Sequence, residues 1–207
     1  MAEAVPAVGA PRVSRLDRRK ARTRQALIDA AVRLIAEGRG DRASIQEITE
    51  EADIGFGSFY NHFDSKEALA VVALQRYGTT RRLAELGDAS VPALDRLRAH
   101  FEFLRGENEG RDYTRGCLIG DFGTEISDHS PVIRAAVESS LHAWGDALAG
   151  AIADGQRAGS IRSGLDPKIA ARFVLNAWEG TLISMRAERS GAAFDDFFEI
   201  VFGTLLA

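Results

Sequence analysis

The chain has 207 residues, 45% of them hydrophobic, with a formal net charge of −4. That length supports one or two compact units, and the acidic balance excludes a protein coated all over with basic groups. No run approaches the ~18 apolar residues of a membrane span, no basic-then-apolar leader opens the sequence, and the single cysteine, Cys117, cannot form an internal disulfide; a cytoplasmic protein with no membrane partner is expected.

Residues 1–14 are mostly Ala, Pro, Val and Gly without period, and a disordered tail is expected there. Residues 12–24 hold seven basic groups (Arg12, Arg15, Arg18, Arg19, Lys20, Arg22, Arg24) and one acid, Asp17. Two readings of that run stand: an anionic contact face, or a solvated lead into a helix. Leu27, Ala30, Ala31, Leu34 and Ile35 then share one helical face, and Gly38 and Gly40 are expected to stop that helix. Ser44 with Glu47 forms a capping box, so the next helix starts there and buries Ile45, Ile48 and Ala52. Asp53-Ile54-Gly55 reads as a turn. A very short helix is expected over 56–62, with Phe59 and Phe63 inward. Asp64 or Ser65 then caps a longer helix over 66–83, with Leu69, Val72, Ala73 and Tyr77 on one face.

After Gly87, Leu94, Leu97, Phe101 and Leu104 mark a helix that fades in the polar stretch 106–112. A shorter helix over 117–126 contains Gly120 and Gly123, which destabilise it unless they make room or bend it. Ser130-Pro131 is a cap followed by proline at the first helical position. From there Ile133, Val137, Leu141, Trp144, Leu148 and Ile152 line a long helix ending near Gly159. Asp166-Pro167 repeats the start signal ahead of Ala170, Phe173, Val174, Ala177, Trp178, Thr181, Leu182 and Met185. Phe194, Phe197, Phe198, Val201, Phe202, Leu205 and Leu206 fill a stripe on the last helix. The sum is an all-α protein of about nine helices, without a sheet or an internal repeat.

Two short helices joined by a tight turn suit DNA. A helix-turn-helix places its second helix in the major groove, where base edges display a distinct donor and acceptor pattern. Ser44 opens the first helix. Gly55 and Gly57 remove side chains, so backbone can approach a phosphate or base edge. Phe56 suits a thymine methyl, Ser58 and Asn61 suit bases or phosphates, and Tyr60 and His62 suit phosphate oxygens. Lys66 stands in a first helical turn, where the dipole prefers an acid; a bound phosphate would explain it. The plain alternative is a bundle in which the small helix merely packs.

The stretch 45–69 resembles the DNA-binding signature of the tetracycline-repressor (TetR/AcrR) family. The resemblance is carried by Ile48, Ala52, Asp53-Ile54-Gly55, Gly57-Ser58, Phe59-Tyr60, His62-Phe63, Ser65-Lys66-Glu67 and Leu69. Gly55 departs from it, since a serine cap is commoner there, and so does Asp53, where the family often has glycine. The resemblance implies an N-terminal helix-turn-helix domain (15–64) and a C-terminal ligand-binding and dimerisation domain (65–207). It implies a ligand-responsive regulator of transcription, most simply a repressor leaving a near-palindromic operator when a small organic effector binds. An activator of the same fold is the alternative, and an all-α enzyme working through Cys117 is the rival from another class.

The resemblance also implies a ligand pocket among the middle helices. Its candidate walls are Phe101, Leu104, Cys117, Phe122, Trp144, Phe173 and Trp178, each of which also fits ordinary core. The run Arg115-Gly-Cys-Leu-Ile-Gly is similar to one in a subset of the family with small organic ligands. Family members are usually homodimers, and the wide apolar stripes of the last two helices give this chain its own reason to pair. The expected interface holds Phe173, Trp178, Leu182, Phe197, Phe198, Val201, Phe202 and Leu205. No cofactor and no metal site is expected: His100, His129 and His142 lack close ligand spacing, and no catalytic triad or phosphate loop stands out.

Overall fold

The computed structural model describes residues 14–37, 39 and 43–207. The tail, Arg12, Gly38 and Gly40 lie outside the described residues. Those described form helices and turns with no strand among them.

Helix α1 (Arg15–Ala36) starts at Ser14, whose hydroxyl accepts from the Asp17 N–H, with Asp17 itself favourable at the positive helix end. Helix α2 (Ile45–Glu51) carries the expected capping box: Ser44 accepts from the Glu47 N–H, and the Glu47 carboxylate accepts from the Ser44 N–H. Those hydrogen bonds hold the Glu47 carboxyl below its usual range. The turn that follows sets Asp53 at φ 54°, a left-handed conformation that aspartate tolerates better than most residues. The segment Phe56–Asn61 is a 3-10 helix, tighter than the α-helix expected. Only Phe59 and the following Phe63 anchor it, at 0% and 4% exposure, so packing imposes no longer helix.

Helix α3 (Lys66–Thr79) is capped by Ser65, the second of the two expected candidates. It ends four residues before the expected 83, because Arg81 turns inward and Arg82 takes a left-handed φ of 56°. A 3-10 turn, Leu83–Gly87, leads to α4 (Ala93–Glu109), α5 (Leu118–Glu125) and the long α6 (Pro131–Ala158). Gly159 ends α6 at φ 73°, a conformation open to glycine at little cost. Helices α7 (Pro167–Glu188) and α8 (Ala192–Ile200) follow, and α8 runs into a wide π turn, Val201–Leu205.

The buried residues fall into two clusters. The head collects Leu27, Ala30, Leu34, Ile48, Phe59 and Phe63 from α1, α2 and the short helix. The body collects Phe101, Trp144, Leu148, Trp178, Phe194 and Phe202 from α4 to the C-terminus. Helix α3 serves both: Leu69 and Ala73 join the head, while Ala70 and Leu74, one residue further round, join the body. A rotation or shift of α3 therefore disturbs packing on both sides, which makes it the mechanical link between them.

Candidate nucleic-acid interface and effector region

The short helix is set by its two aromatic anchors. With Phe59 and Phe63 in the head core, Phe56 and Tyr60 point out, 53% and 55% exposed. They stand edge to face, 6.3 Å between ring centres, and Tyr60 meets the edge of Phe59 at 5.3 Å. Leaving two large rings half in water forgoes roughly half of the 1.5–3 kcal/mol that full burial of such a side chain is worth. Gly55 and Gly57 stand on either side of Phe56, both exposed, and a Cβ built on either would meet nothing within 4 Å. Their small size is thus not demanded by the protein's own packing. Asn61 is exposed, while Ser58 and His62 are half-buried.

Two of the expected contact residues have work inside the head. Ser44 is exposed, but its hydroxyl and N–H serve the capping box. Lys66 Nζ donates to the Ala43 carbonyl at 3.2 Å, tying the start of α3 to the residue before the α2 cap. The lysine in a first helical turn thus has an internal reason that the sequence did not disclose. Sequence reading also missed the Arg33–Glu51 pair (2.7 Å), which braces α1 against α2; nothing in its spacing signals it. Of the basic run, Arg15, Arg18, Arg19, Lys20 and Arg22 are exposed on the first turns of α1, and Arg24 lies over the Phe63 ring at 5.0 Å.

The body is tightly filled. Leu104, Cys117, Trp144 and Trp178 surround a cavity of about 10 Å³, together with Asn108 and Leu182, room for about one water molecule. The other candidate walls are placed differently. Phe101 packs within 5.1 Å of the Trp178 and Phe197 rings. Phe122 lines a separate space of about 300 Å³ between head and body. Phe173 is 55% exposed, because its position on α7 points away from the core.

Polar groups concentrate around the small cavity. Trp144 Nε1 donates to His100 Nε2, and among the described residues His100 Nδ1, Asn108 Oδ1 and Glu179 Oε1 are buried without a partner. Burial, with Arg81 nearby, drives the His100 pKa down to about 4. Burial raises Glu179 to about 7 and pushes the Cys117 thiol up, the facing Glu179 adding to the latter. Gly120 makes room for this group: a Cβ there would lie 2.3 Å from Glu179 Oε2. At the cavity's outer wall Arg81 forms a two-pronged pair with Glu107 (2.5 and 3.2 Å) and stacks on Tyr77, 4.2 Å from the ring centre.

The expected dimer stripe needs correction. Trp178, Leu182, Phe197, Val201 and Phe202 are at most 5% exposed within one protomer, since α4 and α6 already cover them. Phe198 and Leu205 are half-buried. What α7 leaves outside is Ile169, Phe173 and Ile183, at 56%, 55% and 70% exposure, with Ile200 of α8 at 56%.

Residues 27–73 match "Bacterial regulatory proteins, tetR family", and residues 93–201 match "Tetracyclin repressor-like, C-terminal domain". The HTH-type transcriptional repressor DhaR of a Mycobacterium species is 36% identical, over 88% of this chain and 92% of its own. The transcriptional regulator AcuR of Cereibacter sphaeroides is 29% identical over 79% and 76%. In structure, the reduced form of Escherichia coli NemR aligns with a TM-score of 0.77 at 25% identity, covering 89% of this chain and 98% of its own. A TetR regulatory protein of Rhodobacter sphaeroides gives 0.79 at 26%, over 87% and 97%. The chain belongs to the TetR family of DNA-binding transcriptional regulators.

Proposed function

We propose that the protein is a homodimeric repressor that leaves a near-palindromic operator when a small organic effector binds. The observation that carries this reading is the outward pair Phe56 and Tyr60, with Gly55 and Gly57 leaving open space on either side of Phe56, on a segment anchored by buried Phe59. That surface is costly to a protein that leaves it in water and useful to one that lays it in a groove. DhaR and NemR, named as repressors, favour repression over activation. Ser58, Asn61, His62 and the exposed basic face of α1 complete the DNA surface, with Lys66 and Ser44 holding its frame.

The division into a DNA-binding part (15–64) and an effector and dimerisation part (65–207) belongs to this proposal, with α3 overlapping both. The dimer forms through the outer face of α7 and α8, where Ile169, Phe173 and Ile183 recur around Gly180 at helical spacing. Two recognition segments then stand about 34–36 Å apart, one DNA turn. The effector binds at the small cavity walled by Leu104, Cys117, Trp144 and Trp178; that cavity has room for about one water molecule, so binding parts its walls, and the displacement shifts α3. Near-complete switching from 1:99 to 99:1 needs a preference of roughly 10⁴-fold for the released state. A cytoplasmic location follows from this role, and no helix of the described residues is long and apolar enough to cross a membrane. Burial and the raised Cys117 pKa weigh against a thiol nucleophile.

Selection from a random duplex pool tests the reading. An enriched two-fold-symmetric site, occupied by a dimer in a gel shift, is the expected result. A pool that returns no preferred sequence would overturn it.

A further inference from the structure

A cleft of about 650 Å³ opens between α1 of the head and the body, against α3, the end of α4, the start of α5 and α7. Its size suits a small organic ligand. Its charge is opposite to that of the whole chain. Six arginines line it (Arg33, Arg76, Arg81, Arg111, Arg115 and Arg186) against four carboxylates, in a protein of net charge −4. Most of these arginines are spoken for. Arg33 pairs with Glu51, Arg81 and Arg111 share Glu107, and Arg186 faces Asp121 at 3.6 Å. Arg76 and Arg115 have no acidic partner within 4 Å among the described residues. Asp29 and Glu37 line the same cleft, so what its low-dielectric walls focus is the excess of six arginines over four carboxylates. Val32, Ile35 and Leu118 add apolar surface to the same walls.

The cleft is also the antechamber of the buried cavity. Tyr77, Arg81, Glu107, Arg111 and Gly116 line both spaces, so the Arg81–Glu107 pair stacked on Tyr77 is the partition between them.

We propose that this cleft binds a small organic anion carrying two negative charges, and that it forms the outer part of the effector site. The charged oxygens are held by Arg76 and Arg115, and the carbon chain lies on Val32, Ile35 and Leu118. This names the chemical class of the effector and rests on the reading of the chain as an effector-controlled regulator. The position supplies the coupling. Val32 and Ile35 belong to the head, Arg76 to α3 and Arg115 to the body, so an anion engaging all three favours one setting of the head over others. Only that difference in affinity moves the equilibrium.

Calorimetric titration of the full chain at fixed ionic strength tests this, with succinate, glycerol phosphate, inorganic phosphate and uncharged succinamide as probes. Binding of succinate identifies a dicarboxylate site, and binding of glycerol phosphate identifies a phosphate-monoester site. Arg76→Gln and Arg115→Gln are each expected to weaken that binding by about tenfold or more with an unchanged melting temperature, and the bound probe is expected to shift operator affinity. The inference is overturned if neither organic dianion binds, if inorganic phosphate binds as tightly, or if both variants bind like the parent. Operator binding by ligand-free protein is read separately on the same samples. Its presence without anion binding sinks this inference alone, whereas its absence sinks the regulator reading.

Discussion

Trp144 Nε1 donates a 2.9 Å hydrogen bond to His100 Nε2, between rings that meet edge to face at 5.7 Å. The indole can only donate, so His100 Nε2 must be the bare nitrogen and the neutral ring carries its proton on Nδ1. Both side chains are buried. Trp144→Phe keeps an aromatic ring but leaves Nε2 without a donor. The expected cost is about 1–3 kcal/mol for the unpaired buried acceptor, with a further loss from the smaller ring, read as a lower midpoint in urea unfolding.

The same histidine gives stability a pH dependence. Its pKa is about 4 folded against 6.5 ordinarily, so between those values the unfolded chain binds the extra proton. Stability is full above pH 6.5 and is lost as pH falls towards 4, by about 3 kcal/mol in all. Glu179 acts with the opposite sign. Its pKa is about 7 folded against 4.5 ordinarily, so its contribution is present below pH 4.5 and lost as pH rises towards 7, again by about 3 kcal/mol. The two slopes oppose each other across their overlap, and the parent profile there is expected to be shallow. Glu179→Gln removes one of them. Urea midpoints for that variant should rise steeply with pH where the parent's do not; parallel profiles would show that Glu179 does not titrate in this range.

The elements that depend on local chemistry were legible in the sequence. Ser44 with Glu47, Ser65, Ser130-Pro131 and Asp166-Pro167 each start a helix, since a cap is decided within four residues. The outward face of the recognition segment was legible too, because Phe59 and Phe63 consume its only apolar spacing. Features that depend on distant partners were not. Arg81 meets Glu107 across 26 residues, and that pair shapes the turn which shortens α3. The apolar stripe of α7 and α8 gives no sign of how much its own protomer covers, so core residues such as Trp178 and Phe202 read in the sequence as an interface. For Gly120 the sequence leaves two readings open, room or a bend, and only the fold shows that Glu179 fills the space beside it.

The interface proposed on the outer face of α7 and α8 is testable at Ile183. It is 70% exposed in the protomer and lies one helical step from Gly180, where a built Cβ meets nothing within 4 Å, so a partner helix can come close. Ile183→Asp puts a charge into that contact without touching the protomer core. The expected outcome is a monomer in sedimentation, an unchanged helical signal, and operator affinity reduced by more than about tenfold, because a buried unpaired carboxylate costs several kcal/mol. A dimer that persists would move the interface elsewhere.

Tyr60 and Lys66 separate contact from framework in the head. The Tyr60 hydroxyl stands on an exposed ring, and among the described residues no hydrogen bond ties it down. Tyr60→Phe should therefore leave the melting temperature unchanged and weaken operator binding by about 1 kcal/mol, close to fivefold, for all sequences alike. Lys66→Ala removes the bond to the Ala43 carbonyl, so it lowers head stability as well as affinity. If its ammonium also meets a phosphate, the slope of log affinity against log salt flattens by about one unit. A lower melting temperature with an unaltered salt slope would assign Lys66 to the frame alone.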